Sequence, residues 1–193
     1  MNSRYYLLVL LGCWLLSGGC STTDHLPVEH EPVGVDWVAL ASHWPSPPEG
    51  RVEIVTFNDL QNSEQYHVRY DIEITRDGLT MVAQTLLGLP LYEVSVSEGE
   101  MITTRHMDRL KGLHVDGALA DFVLSNWPLA QLMEAAAAVG YSVEQAGNIR
   151  SLINSDAETL VEVRRENDAV KIEHHDIPLV VEIRTVSRVQ VNR

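Results

Sequence analysis

Apolar and polar residues alternate along most of the chain with a period of two. Residues 65–75 show this most clearly, because Tyr66, Val68, Tyr70, Ile72 and Ile74 are separated by polar or charged residues. Such a period is typical of a strand with one buried and one solvated face. Less regular versions of it predict strands at residues 52–56, 79–87, 91–97, 101–105, 148–153, 158–165, 169–174 and 179–191.

Short turn signals separate most of these strands. Arg76-Asp77-Gly78 and Glu98-Gly99 each place a glycine where a tight hairpin favours one. Strands joined by short turns pair antiparallel with their neighbours. The pattern therefore predicts a meander of about nine strands.

The period changes to nearly four after residue 115. Leu119 and Phe122 share one face of a predicted helix, and Asp116 is placed to cap it. A second helix is predicted from Pro128, because a proline in the first turn loses no hydrogen bond. Gly140 is placed to end that helix.

The fold class that follows is mostly β with a helical insertion. An antiparallel sheet with one apolar face needs a cover, and two short helices are a small cover for so many strands. We therefore expect a curved antiparallel sheet, or incomplete barrel, covered by short helices. Its concave side would enclose an apolar cavity.

The N-terminus has a different pattern. Arg4 precedes an apolar segment at residues 5–16, and Ser17-Gly18-Gly19 then leads to Cys20. The segment is shorter than the roughly 20 residues that span a bilayer, which favours a cleaved secretory signal. The arrangement resembles a bacterial lipoprotein signal at residues 1–19, although Ser17 stands where that class usually has leucine. The resemblance implies a lipid, such as palmitate, on Cys20. An ordinary secretory signal with an incidental cysteine is the alternative.

Residues 20–36 are polar and are interrupted by Pro27 and Pro32. This composition predicts a lipidated N-terminus followed by a flexible tether. Residues 37–193 suit a single domain. Because Ser21 rather than aspartate follows the cysteine, the lipoprotein resemblance implies sorting to the outer membrane, with the protein facing the periplasm.

A short helix is predicted at the start of the domain. Asp36 is placed to cap it, and Trp37, Leu40 and Trp44 follow at helical spacing. We expect these tryptophans to pack on the domain as part of a lid. A foot in the membrane is the alternative.

Charge and cysteine content restrict the partners of the protein. The chain has 14 basic and 27 acidic residues, a formal net charge of −13, which argues against nucleic-acid binding. It also argues against charge-driven adhesion to anionic lipid, so the lipid anchor is the expected membrane contact. The second cysteine, Cys13, lies in the predicted signal, and the mature chain is therefore expected to have no intrachain disulfide.

Catalytic patterns are missing from the sequence. It has no Gly-x-Ser-x-Gly elbow, no phosphate-binding glycine loop and no His-Glu-x-x-His zinc helix. The densest group of metal-ligand types is His174-His175 beside Glu173 and Asp176. Adjacent strand residues point to opposite faces, so the two imidazoles would not reach one ion. We expect no metal site, no cofactor and no enzymatic activity.

From Arg51 to the C-terminus, the order and spacing of the elements resemble the lipoprotein-localisation factors LolA and LolB. Their incomplete barrel, closed by helices, holds acyl chains. The run Ala-Asp-Phe-Val-Leu-Ser-Asn-Trp-Pro at residues 120–128 resembles a family of uncharacterised bacterial outer-membrane lipoproteins. Some members are encoded beside aryl-polyene or polyketide-type biosynthetic genes.

The resemblance implies a non-catalytic lipoprotein that binds an acyl-type or other amphiphilic ligand for transport or retention at the outer membrane. A lipoprotein-sorting or biosynthetic protein is the implied partner. The residues expected to line the ligand site, each of which would also suit an ordinary core, are Tyr70, Ile72, Leu86, Val94, Phe122, Trp127 and Leu132.

A second implied feature is a membrane-contact loop. LolB has an exposed leucine after a proline between its third and fourth strands, and here Leu91 follows Pro90, with Leu89 as the neighbouring candidate. Tyr92 stands where that family has glycine. The alternative is that both leucines are core residues at strand ends.

A competing hypothesis comes from a different class of function. The same sheet, filled by its own side chains, would dock another envelope protein as an accessory subunit. An apolar cavity of several hundred Å³ would favour a ligand. A filled interior with a large exposed apolar patch would favour a protein partner.

Overall fold

The computed structural model of the protein describes residues 34–45, 47–106 and 115–190, with the backbone alone for Val115 and Asp116. The predicted signal, Cys20 and most of the predicted tether lie outside these residues. The described helices are α1 (Trp37–Ala41), α2 (Val115–Asn126) and α3 (Leu129–Ala137). The described strands are β1 (Glu49–Asp59), β2 (Glu64–Ile74), β3 (Gly78–Gln84), β4 (Pro90–Ser97), β5 (Glu100–Arg105), β6 (Ser142–Ala146), β7 (Ile149–Ile153), β8 (Thr159–Glu166), β9 (Ala169–His174) and β10 (Leu179–Gln190).

The ten strands form one antiparallel sheet in the order β5-β4-β3-β2-β1-β10-β9-β8-β7-β6. The first and last strands of the chain therefore pair in the middle, and β5 and β6 are the edges of the described sheet. The predicted fold class, mostly β with one helical insertion, is confirmed. The prediction missed β6, because only Val143 is buried in this short edge strand.

The sheet curls around the helices. Ten strands about 4.8 Å apart would make a flat sheet more than about 40 Å wide, and two helices of about 10 Å diameter would cover about half of it. Val94 on β4 and Leu152 on β7 each lie one strand from an edge, and both are buried. A curved, incomplete barrel explains how so few helices cover both.

The alternation in β2 is confirmed, because Val68, Tyr70, Ile72 and Ile74 are buried, whereas Tyr66 is exposed near the strand start. The other face of β2 carries charged residues, as expected for a strand with one solvated side.

Strand β1 departs from the simple pattern. Arg51, Glu53 and Val55 are buried on the inner face, while the apolar Val52 and Ile54 are only half-buried. The pairing register with β2, not the hydrophobicity of the side chains, decides which residues of β1 face inward. Arg51 pairs with Ile72 and Glu53 with Tyr70, and opposite residues of an antiparallel pair share a face.

Helix α2 lies over the inner face with Leu119, Phe122 and Val123 buried. It begins at Val115, so the predicted cap Asp116 lies inside the first turn. Pro128 is the N-cap of α3, and its carbonyl accepts a hydrogen bond of 3.3 Å from Leu132 N.

Helix α1 packs against α2 and ends near the β4–β5 turn. Asp36 caps it as predicted, since Oδ1 of Asp36 accepts from Ala39 N at 2.8 Å. Ser42 Oγ accepts from Gly99 N at 2.9 Å, which connects α1 to that turn. Trp37 and Trp44 are buried, so α1 forms part of the cover on the domain. Among the described residues, no helix has the length and apolarity needed to cross a bilayer.

Candidate ligand-binding site beneath the helical lid

The helices α2 and α3, here called the lid, meet the sheet at most of the residues predicted to line a ligand site. Tyr70, Ile72 and Val94 are buried on the inner face of the sheet. Three more members of the predicted set are buried, namely Phe122 and Leu132 on the lid and Trp127 between its two helices. The structure thus brings six of the seven together in one interior.

Leu86 is the exception. The prediction that it lines the interior is wrong. Strand β3 ends at Gln84, before the predicted end at residue 87, and Leu86 falls in the β3–β4 loop with 56% of its surface exposed. Hydrogen bonds from Thr85 N to Leu89 O and from Gly88 N to Thr85 O, both 2.9 Å, close this loop. Gly88, within the loop, has φ +82°, a conformation that favours glycine.

The interior is filled by the protein's own side chains. Between α2 and the sheet lies a cavity of about 20 Å³, lined in part by Glu53, Tyr70, Asp121 and Phe122. This volume suits about one water molecule and is far below that of a small-molecule site. An acyl chain would therefore have to displace the lid in order to enter the space between α2 and the sheet.

Arg51 is the central polar contact between the sheet and α2. Its guanidinium lies 5.6 Å from the ring centroids of both Trp44 and Phe122, within cation–π range. Nη1 donates to Oδ1 of Asn126, the last residue of α2, at 2.7 Å. On the sheet side, Arg51 forms ion pairs with Glu49 and, at 3.8 Å, with Glu53.

Arg150, on β7, holds the same end of α2 from the other side. Its Nη1 donates to the carbonyl oxygens of Leu124 at 2.6 Å and Trp127 at 2.9 Å. The last carbonyls of a helix lack partners within the helix and carry partial negative charge, so a guanidinium stabilises them. Burial lowers the pKa of Arg150, with a further contribution from nearby Arg165.

A third contact joins the middle of α2 to β9. Nε2 of His174 lies 3.2 Å from Oδ1 of Asp121, and both side chains are about one-tenth exposed. Burial by itself lowers the pKa of His174, but the charge of Asp121, its hydrogen bond and the charge of Asp176 together raise that pKa above the ordinary value.

Glu53 faces the same interface. Burial raises the pKa of its carboxyl, although the positive charges of Arg51 and Arg188 act in the opposite direction. Nearby, the hydroxyls of Tyr70 and Tyr92 lie 2.5 Å apart and satisfy each other. Burial raises the pKa of both phenols, so both stay neutral at physiological pH.

Three tryptophans of the cover have unsatisfied donors. The indole Nε1 atoms of Trp37, Trp44 and Trp127 are buried without a hydrogen-bond partner among the described residues. Trp44 meets Trp127 edge-on at 5.1 Å and stacks on Phe122 at 5.7 Å. Each unsatisfied buried donor costs about 1–3 kcal/mol, so the closed lid retains a polar penalty.

The β3–β4 loop carries a group of exposed leucines. Leu87 is 91% exposed, and Leu86 and Leu89 are each 56% exposed. Leu89 is thus exposed, and its contact with a membrane stays a prediction. The prediction that Leu91 belongs to the membrane-contact loop is wrong, because Leu91 lies on β4 and is 5% exposed. Sequence reasoning missed Leu87, although the following Gly88 signalled the turn that exposes it.

Among the described residues, no three histidine, cysteine, aspartate or glutamate side chains are grouped to hold an ion. His174 turns inward to Asp121, and the neighbouring His175 is exposed.

Comparison with known proteins gives a family. A family model described as a protein of unknown function, DUF3261, matches residues 53–187. The chain belongs to the DUF3261 family. This match begins within β1 and ends within β10, and it includes the run at residues 120–128 that carried the resemblance to uncharacterised proteins. No curated protein sequence matches this DUF3261 chain.

Two solved structures resemble the chain at a distance. A LolA superfamily protein from Nitrosomonas europaea has 9% sequence identity and a TM-score of 0.46, with 81% of this chain and 93% of that chain covered. A domain from Vibrio parahaemolyticus, described as an outer membrane lipoprotein-sorting protein, has 10% identity and a TM-score of 0.45, with 80% and 89% covered.

Proposed function

We propose that this protein is a non-catalytic lipoprotein, anchored through Cys20 in the outer membrane, whose lid lifts from the sheet to admit the acyl chain of an amphiphilic ligand. The observation that carries the proposal is the location of the buried charges. Arg51, Glu53, Asp121 and His174 all lie where α2 meets the sheet. Apart from Asp59 at the end of β1, the other buried residues in the described part of the chain are uncharged.

A core that never opens gains little stability from buried charged groups. Replacing a buried ion pair by packed apolar side chains is often neutral or stabilising, so buried charges are weak contributors to stability. They are directional contacts, however, and α2 is held by few of them. A lid with such contacts separates from the sheet at a lower cost than a purely apolar one, and water or a ligand can satisfy its polar groups once it has moved.

Ligand entry would be driven by apolar burial. An acyl chain under the lid would replace the contacts that Phe122 and Leu119 now make with the sheet. Each Å² of apolar ligand surface removed from water contributes about 25 cal/mol. Indole donors left unsatisfied in the closed state, such as that of Trp127, would gain access to a polar group of the ligand or to water.

The proposal assigns the remaining parts of the chain. Residues 1–19 direct export and are removed, and residues 20–36 are the tether that holds the domain near the periplasmic face of the membrane. The exposed leucines Leu86, Leu87 and Leu89 enter the membrane surface when ligand is transferred. A lipoprotein-sorting or biosynthetic protein would supply the ligand.

The space under α2 provides a direct test. Ala118 lines the small cavity beneath the lid, and Ala120 on the same helix is similarly half-buried but does not line it. We expect Ala118→Leu to weaken binding of a fluorescent acyl probe by about tenfold or more, because it fills the space that the chain needs. Ala120→Leu is the matched control, and melting temperatures show whether overpacking, which typically costs about 1–3 kcal/mol, has damaged either variant.

Mass spectrometry gives a second readout. Protein extracted gently from its own membrane is expected to carry an amphiphile, which Ala118→Leu protein lacks. The proposal fails if the wild-type protein carries no ligand and binds no apolar probe.

The filled interior favours one other function, docking of an envelope protein as an accessory subunit. The exposed leucines of the β3–β4 loop would then be part of the interface. In that case Ala118→Leu leaves the function intact, no acyl probe binds the wild-type protein, and substitutions at Leu87 abolish the function.

A further inference from the structure

Four arginines lie in a row on the inner face at one end of the sheet, and we name them the arginine row: Arg51, Arg150, Arg165 and Arg188. Arg188 on β10 is directly opposite Arg51 on β1, and Arg150 on β7 is opposite the buried Val163 on β8. Arg165 follows Val163 by two residues and so points to the same face.

The row is a local excess of positive charge in an acidic protein. The whole chain has 14 basic residues against 27 acidic ones, yet the carboxylates paired with these four arginines in the described part of the chain are those of Glu49 and Glu53. Burial of part of the Arg165 side chain lowers its pKa, and the charges of Arg51 and Arg188 lower that pKa further. Its guanidinium is therefore within electrostatic reach of the other two.

The members of the row differ in what they already bind. Arg150 and Arg51 hold the end of α2. Arg188 is more than half exposed and lies 3.6 Å from the Glu49 carboxylate, which it shares with Arg51. Arg165 is exposed, and its guanidinium has no carboxylate partner among the described residues.

We propose that Arg165 and Arg188 bind the anionic head group, a phosphate or carboxylate, of the amphiphile whose acyl chain enters beneath α2. This inference rests on the proposed function and specifies its ligand class. A guanidinium matches carboxylate and phosphate with two parallel charge-assisted hydrogen bonds, which makes two exposed arginines at a site entrance selective for such heads.

The geometry also supplies the path for the chain. Ile183 and Val181 lie further along the inner face of β10 from Arg188, and both line the small cavity under α2. A head group at the arginine row would thus leave its acyl chain directed into the apolar interior. Opposite faces of β8 and β10 carry Arg164 and Arg184, which point away from this path.

These outward arginines are matched controls. Arg164 matches Arg188, because each has a carboxylate partner, Glu162 and Glu49 respectively. Arg184 matches Arg165, because both are exposed. The double variants R165Q/R188Q and R164Q/R184Q therefore remove the same charge from the same two strands, but from opposite faces. A Cys20→Ser background in the full mature chain prevents the anchor from competing for the probes.

The experiment measures displacement of a fluorescent acyl probe by decyl phosphate, decanoate, decanol and inorganic phosphate. Wild-type protein is expected to bind decyl phosphate or decanoate about tenfold more tightly than decanol, as one charge-assisted contact would give. R165Q/R188Q should lose this preference and keep the affinity for decanol, whereas R164Q/R184Q should behave as wild type.

Three results would overturn the inference. In the first, wild-type protein binds decanol as tightly as both anionic probes. In the second, the two double variants lose the anionic preference equally. In the third, inorganic phosphate displaces the probe as effectively as decyl phosphate does. The two anionic probes distinguish a phosphate head from a carboxylate head. If decanol binds but no anionic preference exists, the head-group inference fails alone, and if no probe with a decyl chain binds, the proposed function fails with it.

Discussion

Nη1 of Arg51 donates a hydrogen bond of 2.7 Å to Oδ1 of Asn126, which lies 75 residues further along the chain. The contact joins the central strand of the sheet to the last residue of α2. Because both partners are largely shielded from solvent and one is charged, it is among the contacts most able to hold the lid closed.

Asn126→Ala removes the acceptor and should loosen the lid. We expect a loss of about 2 kcal/mol in the free energy of unfolding, the usual range for a hydrogen bond to a charged group, and faster amide exchange along α2. Hydrogen exchange with mass spectrometry measures this. Asn58→Ala is the control, because Asn58 makes a side-chain hydrogen bond with Gln65 away from the lid. Equal effects of the two variants on α2 would contradict the assigned role.

The pair His174 and Asp121 makes lid stability depend on pH. The pKa of His174 is raised in the folded protein, so its stabilising contribution is complete below the ordinary value of about 6.5 and is lost as the pH rises through the raised value. Asp121→Asn should lower the pKa of His174, because burial then acts against only the weaker influence of Asp176. Nuclear magnetic resonance titration of the imidazole proton measures the change.

Asp71→Asn is the control for that titration. Asp71 pairs with Arg69 on the outer face of β2, away from His174. An unchanged His174 pKa in Asp121→Asn protein would show that the ion pair does not control this group.

Leu87 is expected to matter for transfer to a membrane and not for folding. Leu87→Asp replaces a side chain that is 91% exposed, so the melting temperature should stay nearly constant. Burying one leucine contributes about 1.5–3 kcal/mol, and its loss should slow delivery of an acyl probe to vesicles by about tenfold or more. Val189→Asp, at a residue 62% exposed on β10, is the control. Comparable transfer rates in the two variants would remove the loop from the mechanism.

Cys20→Ala tests the anchor. Without the thiol that we propose accepts the lipid, the protein should appear in the soluble periplasmic fraction or remain as an uncleaved precursor, and it should not incorporate labelled palmitate. Membrane fractionation and metabolic labelling are the measurements. A variant that is still processed and still membrane-bound would refute the lipoprotein signal.

Local patterns predicted the elements well where one face of an element is buried and the other is wet. The period of two over β2 and the helical face containing Leu119 and Phe122 are examples. The missed strand β6 shows the limit, because its short edge position leaves only Val143 to bury and hence almost no pattern.

The polar half of the site was not predictable from such patterns. In β1, the apolar Val52 and Ile54 suggested one inner face, but pairing with β2 and β10 turned Arg51 and Glu53 inward. Likewise, alternation along β9 places His174 on the face of the buried Ile172, but it does not reveal the partner of the imidazole. That partner, Asp121, lies on a helix 53 residues away in the chain.

The sequence by itself determined the acidic charge and the class of fold, because each depends on composition or on the period of neighbouring residues, and it predicts an export signal that ends before Cys20. The tertiary structure decided that the interior is filled, that charged groups hold the lid, and that four arginines share one end of the sheet. Those features arise from strand register and from contacts between residues distant in the chain, which local patterns do not encode.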